Sequence, residues 1–172
     1  DKVELKMMCE NPFNSEEEEK NWTDLYNNSK LGDKISLIPR VATHEEVYNI
    51  MATVDCGVFP ARAEGWNLEL LEMMACNKPV IATDYSAHTE FCTSENSFLI
   101  DPSEVEPAFD GKWFDGKTGS WAKLEDRHVE ELAEYMRHVY KNNVRENPNG
   151  VDTAKIHSWQ NSVSKMQDAL NV

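Results

Sequence analysis

Positive charge is scarce in this sequence: 17 Lys and Arg stand against 31 Asp and Glu, a formal net charge of -14. So acidic a chain repels a nucleic-acid backbone, and nucleic acid is disfavoured as a partner. An anionic small molecule would meet the same repulsion unless local donors offset it, from helix N-termini or from arginines such as Arg40 and Arg62. Long apolar runs are missing too. Nothing approaches the ~20 residues of a spanning helix, and no signal-peptide pattern is present, so no transmembrane segment is expected. Cysteine is confined to Cys9, Cys56, Cys76 and Cys92, far apart and mostly within apolar stretches, without Cys-x-x-Cys spacing. They read as buried free thiols of a reducing, cytoplasmic compartment. The triplets Asn21-Trp22-Thr23 and Asn27-Asn28-Ser29 match glycosylation acceptors but lack a targeting segment to give them meaning. No Walker A loop, Gly-x-Gly-x-x-Gly, Gly-x-Ser-x-Gly or His-Glu-x-x-His occurs, and the five histidines lack metal-ligand spacing. His44, His128, His138 and His157 read as surface or capping residues; His88 alone lies beside a candidate site loop, between Thr83-Asp84-Tyr85 and Glu90.

What is present is an alternation. Val3 to Cys9, Ile35 to Ile38, Cys56 to Phe59, Val80 to Ala82 and Phe98 to Ile100 are strand-sized and too apolar for strands with one wet face, so they read as buried parallel strands. Between them lie helical patterns: Trp22, Leu25 and Tyr26 behind Ser15 and the acidic run Glu16 to Glu19, then Val47, Ile50, Met51 and Val54 behind a Thr43 and Glu46 capping box. A third helix carries Leu68, Leu71 and Ala75, and a short fourth covers Ala87 to Cys92. The order predicts an α/β fold, a Rossmann-like doubly wound parallel sheet occupying residues 1–100 of a single domain, 1–172. Residues 101–122 form an aromatic, Gly-rich insertion whose two Asp-Gly steps suggest a hairpin. Residues 123–172 read as two C-terminal helices, with packing stripes Val129, Leu132, Met136, Val139 and Ile156, Trp159, Val163, Met166, Leu170. The chain opens on Asp1 rather than Met, so a fragment is the expectation.

The chemistry concentrates in Phe59-Pro60-Ala61-Arg62-Ala63-Glu64-Gly65-Trp66-Asn67-Leu68-Glu69-Leu70-Leu71-Glu72. A strand ends at Pro60, Gly65 permits close approach, and a helix begins at Leu68, so free backbone N–H groups face outward between two carboxylates, Glu64 and Glu72. Amides take phosphate oxygens while carboxylates accept from hydroxyls, the requirements of a nucleotide sugar. In so acidic a chain the spacing alone is weak; the setting of strand, turn, glycine and helix, followed by Pro79-Val80-Ile81-Ala82-Thr83-Asp84, strengthens it. In such sheets ligands bind beyond the carboxyl ends of the strands, where this loop lies.

From Thr43-His44-Glu45-Glu46-Val47 through Val54-Asp55-Cys56-Gly57-Val58-Phe59-Pro60, Glu64-Gly65-Trp66-Asn67-Leu68 and Leu71-Glu72-Met73-Met74-Ala75 to Lys78-Pro79-Val80-Ile81-Ala82-Thr83 and Glu90, the sequence resembles the retaining glycosyltransferases of the GT-B fold with a Glu-x7-Glu motif, the family 4-like group. A looser echo stands at Ser158-Trp159. The resemblance implies the C-terminal, donor-binding half of a GT-B fold with extra C-terminal helices, and a hexosyltransferase acting on a UDP- or GDP-sugar without a cofactor or essential metal. It implies Glu64 as the catalytic group near the donor sugar, Glu72 on the ribose hydroxyls, the backbone of Gly65, Trp66, Asn67 and Leu68 on the diphosphate and sugar, and Arg40 and Val41 beside the base. Asn67 stands where the family usually has Gly, and Glu69 where it often has Pro. The family's diphosphate-neutralising Arg and Lys pair and its N-terminal acceptor domain are not found, so the fragment alone is expected to be inactive. The alternatives are an epimerase or phosphorylase on the same fold, or a non-catalytic nucleotide-binding module.

Overall fold

The first helix begins where Ser15 can satisfy its free amides. In the computed structural model, which describes residues 2–170, α1 runs Glu16–Asn27. The Ser15 hydroxyl accepts from Glu18 N at 3.3 Å, and the Glu18 carboxylate accepts from Ser15 N at 2.8 Å. That reciprocal pair and the acidic first turn suit the positive end of a helix dipole. α1 connects two parallel strands, β1 (Leu5–Met7) and β2 (Ile35–Leu37), which pair Leu5 with Ile35 and Met7 with Leu37. These elements belong to the first of two units, Asp1–Val47. Here the expectation of a buried strand over Val3 to Cys9 needs correction. β1 has three residues, Val3, Leu5 and Cys9 are exposed, and no described residue of this unit is fully buried. Two short strands and one helix cannot surround an apolar side chain on every side, so apolarity alone overstates burial.

The second helix, α2 (His44–Thr53), starts at the expected box: Thr43 Oγ1 accepts from Glu46 N at 3.2 Å and the Glu46 carboxylate accepts from Thr43 N at 2.9 Å. The second unit, Tyr48–Val172, is built on β3 (Gly57–Phe59), β4 (Val80–Thr83) and β5 (Phe98–Ile100), parallel in the order 3-4-5. Central β4 is buried along all four residues, as a strand flanked on both edges and covered on both faces must be. Helix α3 (Leu68–Ala75) joins β3 to β4 and buries Leu70, Leu71, Met73 and Met74. Gly57 allows that approach: a Cβ there would lie 2.6 Å from Phe59 Cε2 and 2.7 Å from Met73 Cγ. The short helix expected over Ala87 to Cys92 is a 3-10 turn, Ser86–Glu90.

After the sheet comes the expected hairpin, β6 (Val105–Phe109) and β7 (Asp115–Ala122). Its turn wraps around one carboxylate: Asp110 Oδ1 accepts from the amides of Lys112, Trp113 and Phe114 at 2.8, 2.8 and 2.9 Å. Backbone donors, that of Phe114 first, hold this carboxyl below its ordinary range. Three helices then close the chain rather than two: α4 (Asp126–Lys141), α5 (Pro148–Ile156) and α6 (Trp159–Leu170). Asn147-Pro148-Asn149-Gly150 reads as a turn, yet Asn147 caps α5 and Pro148 occupies its first position, where a missing N–H costs nothing. The stripe from Ile156 to Leu170 is therefore cut at His157 and Ser158. Trp159, Val163, Met166 and Leu170 are exposed rather than packed, as is Val129 on α4.

All four cysteines are free thiols, but only Cys92 is buried; Cys56 and Cys76 are half-buried. Burial pushes the Cys56 thiol up to about 12, with Asp55 adding to the effect, and Cys92 to about 11. At pH 8 a thiol reagent should thus modify exposed Cys9 first and reach Cys56 and Cys92 only in denaturant, as peptide mass mapping would record. Native labelling of Cys92 as fast as Cys9 would contradict this placement.

Candidate functional site

The loop 60–67 leaves the carboxyl end of β3 and is fastened at Glu64 and at Asn67 by the 3-10 turn that follows β4. Ser86 Oγ accepts from Glu64 N at 3.2 Å and donates to Glu64 O at 2.7 Å. Glu64 is half-buried, and among the described residues its carboxylate makes no hydrogen bond or ion pair. Asn67 caps α3 from a left-handed conformation, φ 67° and ψ 70°, its Oδ1 accepting from Leu70 N at 3.2 Å. Its Nδ2 lies 2.9 Å from His88 Nε2, and His88 Nδ1 lies 2.9 Å from the Thr83 carbonyl oxygen. The Thr83 hydroxyl, at the carboxyl end of buried β4, has no partner among the described residues.

Leu70 N is satisfied by Asn67, whereas the amides of Gly65, Trp66, Asn67, Leu68 and Glu69 have no hydrogen-bond partner among the described residues. Helix geometry concentrates partial positive charge at such an end. Nothing in the chain requires glycine at 65, because its φ is not left-handed and a Cβ there would meet open space. Trp66 packs against Phe91 and His157, with ring centroids 5.4 and 5.6 Å away, which ties the loop to the α5 C-terminus. Glu72 sits on α3 one turn beyond Leu68, about 6 Å along the axis, and is half-buried. The predicted residues Glu64, Gly65, Trp66, Asn67, Leu68 and Glu72 thus fall on one loop and the helix it opens. Arg40 and Val41 belong to the first unit, where Arg40 N donates to Glu10 Oε2 at 3.0 Å and Val41 is half-buried.

One expectation fails. Arg62, considered as a free cation for an anionic ligand, is committed to the hairpin: its guanidinium pairs with Glu106 and lies 4.5 Å over the Trp121 ring, and its carbonyl accepts from Ala122 N at 2.8 Å. Tyr85 completes the attachment by donating to Ser120 O at 3.2 Å. Trp121 thereby serves packing, while Trp113 at the hairpin tip is 79% exposed. Spacing could not flag His88 as a member of the loop's support, since its bond to Asn67 spans 21 residues. A separate cleft of about 220 Å³, lined by Pro79, Ser94, Asn96, Phe98 and Asn147, lies toward the amino ends of β4 and β5, away from this loop. Among the described residues no group of three or more His, Cys, Asp or Glu is placed to hold a metal ion, and no helix is long and apolar enough to cross a membrane.

A sequence profile of the family described as glycosyl transferases group 1 matches residues 2–112, well over half of the chain. The chain belongs to this family. Every predicted site residue lies inside the matched segment. No curated protein matches the sequence. Among solved structures, sucrose-phosphate synthase from Thermosynechococcus elongatus superposes with a TM-score of 0.70 at 18% identity, covering 97% of this chain and 37% of that one. Anabaena HepE, solved in complex with UDP-glucose, does so at 0.55 and 16%, covering 84% and 33%. The chain therefore spans about a third of the length of either structure. At such identities the likeness establishes the fold, the Rossmann-like α/β architecture of GT-B glycosyltransferase domains.

Proposed function

We propose that this chain is the donor-binding domain of a retaining, metal-independent, cytoplasmic glycosyltransferase that transfers a hexose from a UDP- or GDP-sugar. The observation that carries the proposal is the row of unpartnered amides at the start of α3, set between Glu64 and Glu72 within the family segment. The diphosphate lies against the amides of residues 65–68, its charge met by the helix end. The ribose hydroxyls donate to Glu72. As the sugar–phosphate bond breaks, negative charge grows on the departing diphosphate; fixed amide dipoles stabilise that charge without reorganising. Glu64, whose carboxylate has no partner among the described residues, faces the transferring sugar. The acceptor is held by a domain outside these residues, so this chain alone binds donor without transferring it.

The test is a thermal-shift screen with UDP, GDP and ADP and their glucose conjugates. A ligand that binds only the native state raises the melting temperature by mass action. One nucleotide should stabilise the chain clearly more than the others. Gly65→Ala should leave the unliganded melting temperature within about a degree of wild type, since its methyl enters open space, yet weaken that nucleotide by roughly tenfold, the effect of a misplaced diphosphate at about 1.4 kcal/mol per decade. An unchanged affinity would remove the diphosphate from this loop.

A further inference from the structure

Residue 67 has a backbone conformation that an L-amino acid avoids and that glycine adopts freely. Asparagine tolerates this conformation better than other side chains, so what matters is what fixes it there, because the direction of the first free amides of α3 depends on that backbone. The hydrogen bonds around it admit one arrangement. Leu70 N can only donate, so the Asn67 atom it meets is Oδ1 and the other branch is the amide nitrogen. That nitrogen can only donate, so His88 Nε2 accepts and carries no proton. The Thr83 carbonyl can only accept, so His88 Nδ1 carries the proton. His88 is thereby a neutral imidazole of a single tautomer, 1% exposed, with Phe91 edge-on at 6.3 Å. It transmits the position of rigid β4, through the Thr83 carbonyl, to the side chain that shapes the helix start.

We propose that His88 is a positioning residue for donor binding: by accepting from Asn67 it holds residue 67 in the left-handed conformation that aims the amide of Leu68 at the donor diphosphate. This rests on the donor-site reading above. The chain thus uses a buried histidine and an asparagine to maintain a backbone shape that glycine would supply unaided.

The experiment measures UDP, GDP and ADP affinity by calorimetry on the full chain for wild type, His88→Asn, His88→Gln, Asn67→Gly and the double variant His88→Asn/Asn67→Gly. Asparagine at 88 places a donor where Nδ1 was and leaves Asn67 unmet; glutamine places an acceptor where Nε2 was. His88→Asn should lose at least tenfold in affinity, His88→Gln should stay within about threefold of wild type, and the double variant should match Asn67→Gly alone. The double variant should recover what His88→Asn loses, a rescue that general damage to the fold would not produce. Wild-type affinity in His88→Asn, or failure of Asn67→Gly to rescue it, overturns the proposal. If His88→Asn does not fold, two readouts remain. Asn67→Ala must bind at least tenfold more weakly than Asn67→Gly, and the imidazole nitrogen spectrum of the wild type must show His88 protonated at Nδ1 alone; equal affinities or protonation at Nε2 overturns it. Absence of nucleotide binding in the wild type overturns the donor-site reading and this proposal together, whereas binding that ignores residue 88 overturns this proposal alone.

Discussion

Replacing Asn147 by alanine should destabilise the second unit by about 3–5 kcal/mol, the largest stability loss expected of any single polar substitution here. Asn147 is buried and uses its whole amide: Nδ2 donates to the carbonyls of Lys78 at 3.2 Å and Asn96 at 2.9 Å, and Oδ1 accepts from Gly150 N at 2.9 Å. Its own backbone N donates to Asn77 Oδ1 at 2.8 Å. One side chain therefore ties the end of α3, the segment before β5 and the start of α5. Alanine removes the helix cap and leaves two carbonyls and an amide without partners, each worth about 1–3 kcal/mol where water cannot reach it. Urea denaturation would measure the loss as a shift in midpoint with unchanged slope. A loss below about 1 kcal/mol would show that water replaces these bonds and that the clamp is dispensable.

Glu72→Ala should weaken nucleotide binding by roughly 30- to 100-fold, or about 2–3 kcal/mol, the strength of hydrogen bonds from two ribose hydroxyls to an ionised carboxylate after their desolvation. Glu72→Gln, which keeps shape and one acceptor but removes the charge, should fall between alanine and wild type. A 2′,3′-dideoxynucleotide should bind wild type about as weakly as the intact nucleotide binds Glu72→Ala, and that equality separates ribose recognition from an indirect effect through α3. Calorimetry across the three proteins reads all of these together. Full affinity in Glu72→Ala would move the ribose elsewhere and favour a non-catalytic nucleotide-binding module over a glycosyltransferase donor site.

Much of the fold was legible because its signals are local. Ser15 with Glu18 and Thr43 with Glu46 are complete within four residues, and both helices start beside them. The strands at Ile35, Gly57, Val80 and Phe98 agree with their apolar runs to within a residue, since the buried period of a parallel strand is itself a sequence property. Helix α5 was hidden because Asn-Pro-Asn-Gly has the composition of a turn, and only Asn147's partners at Asn77, Lys78 and Asn96 show that it caps a helix instead. Burial was hidden for the same reason in Val3, Leu5 and the α6 stripe: the apolar pattern states which face wants a partner, not whether one arrives.

The candidate site divides along the same line. The order of Glu64, Gly65, Asn67, Leu68 and Glu72, and with it the loop, the helix start and the two flanking carboxylates, follows from residue types and spacing, because each depends on neighbours along the chain. What residues do to one another across the fold does not. Arg62 is spent on Glu106 and Trp121, 44 and 59 positions away, and so is lost as a free cation. His88 reaches Asn67 and Thr83 at once only because β4 runs beside β3 and returns its carboxyl end to the same edge. Hydrogen-bond direction and backbone strain are set where distant segments meet. That is why the sequence alone could propose the carboxylates and amides of the candidate site, while the tertiary structure decided that Arg62 pairs with Glu106 and that His88 meets Asn67.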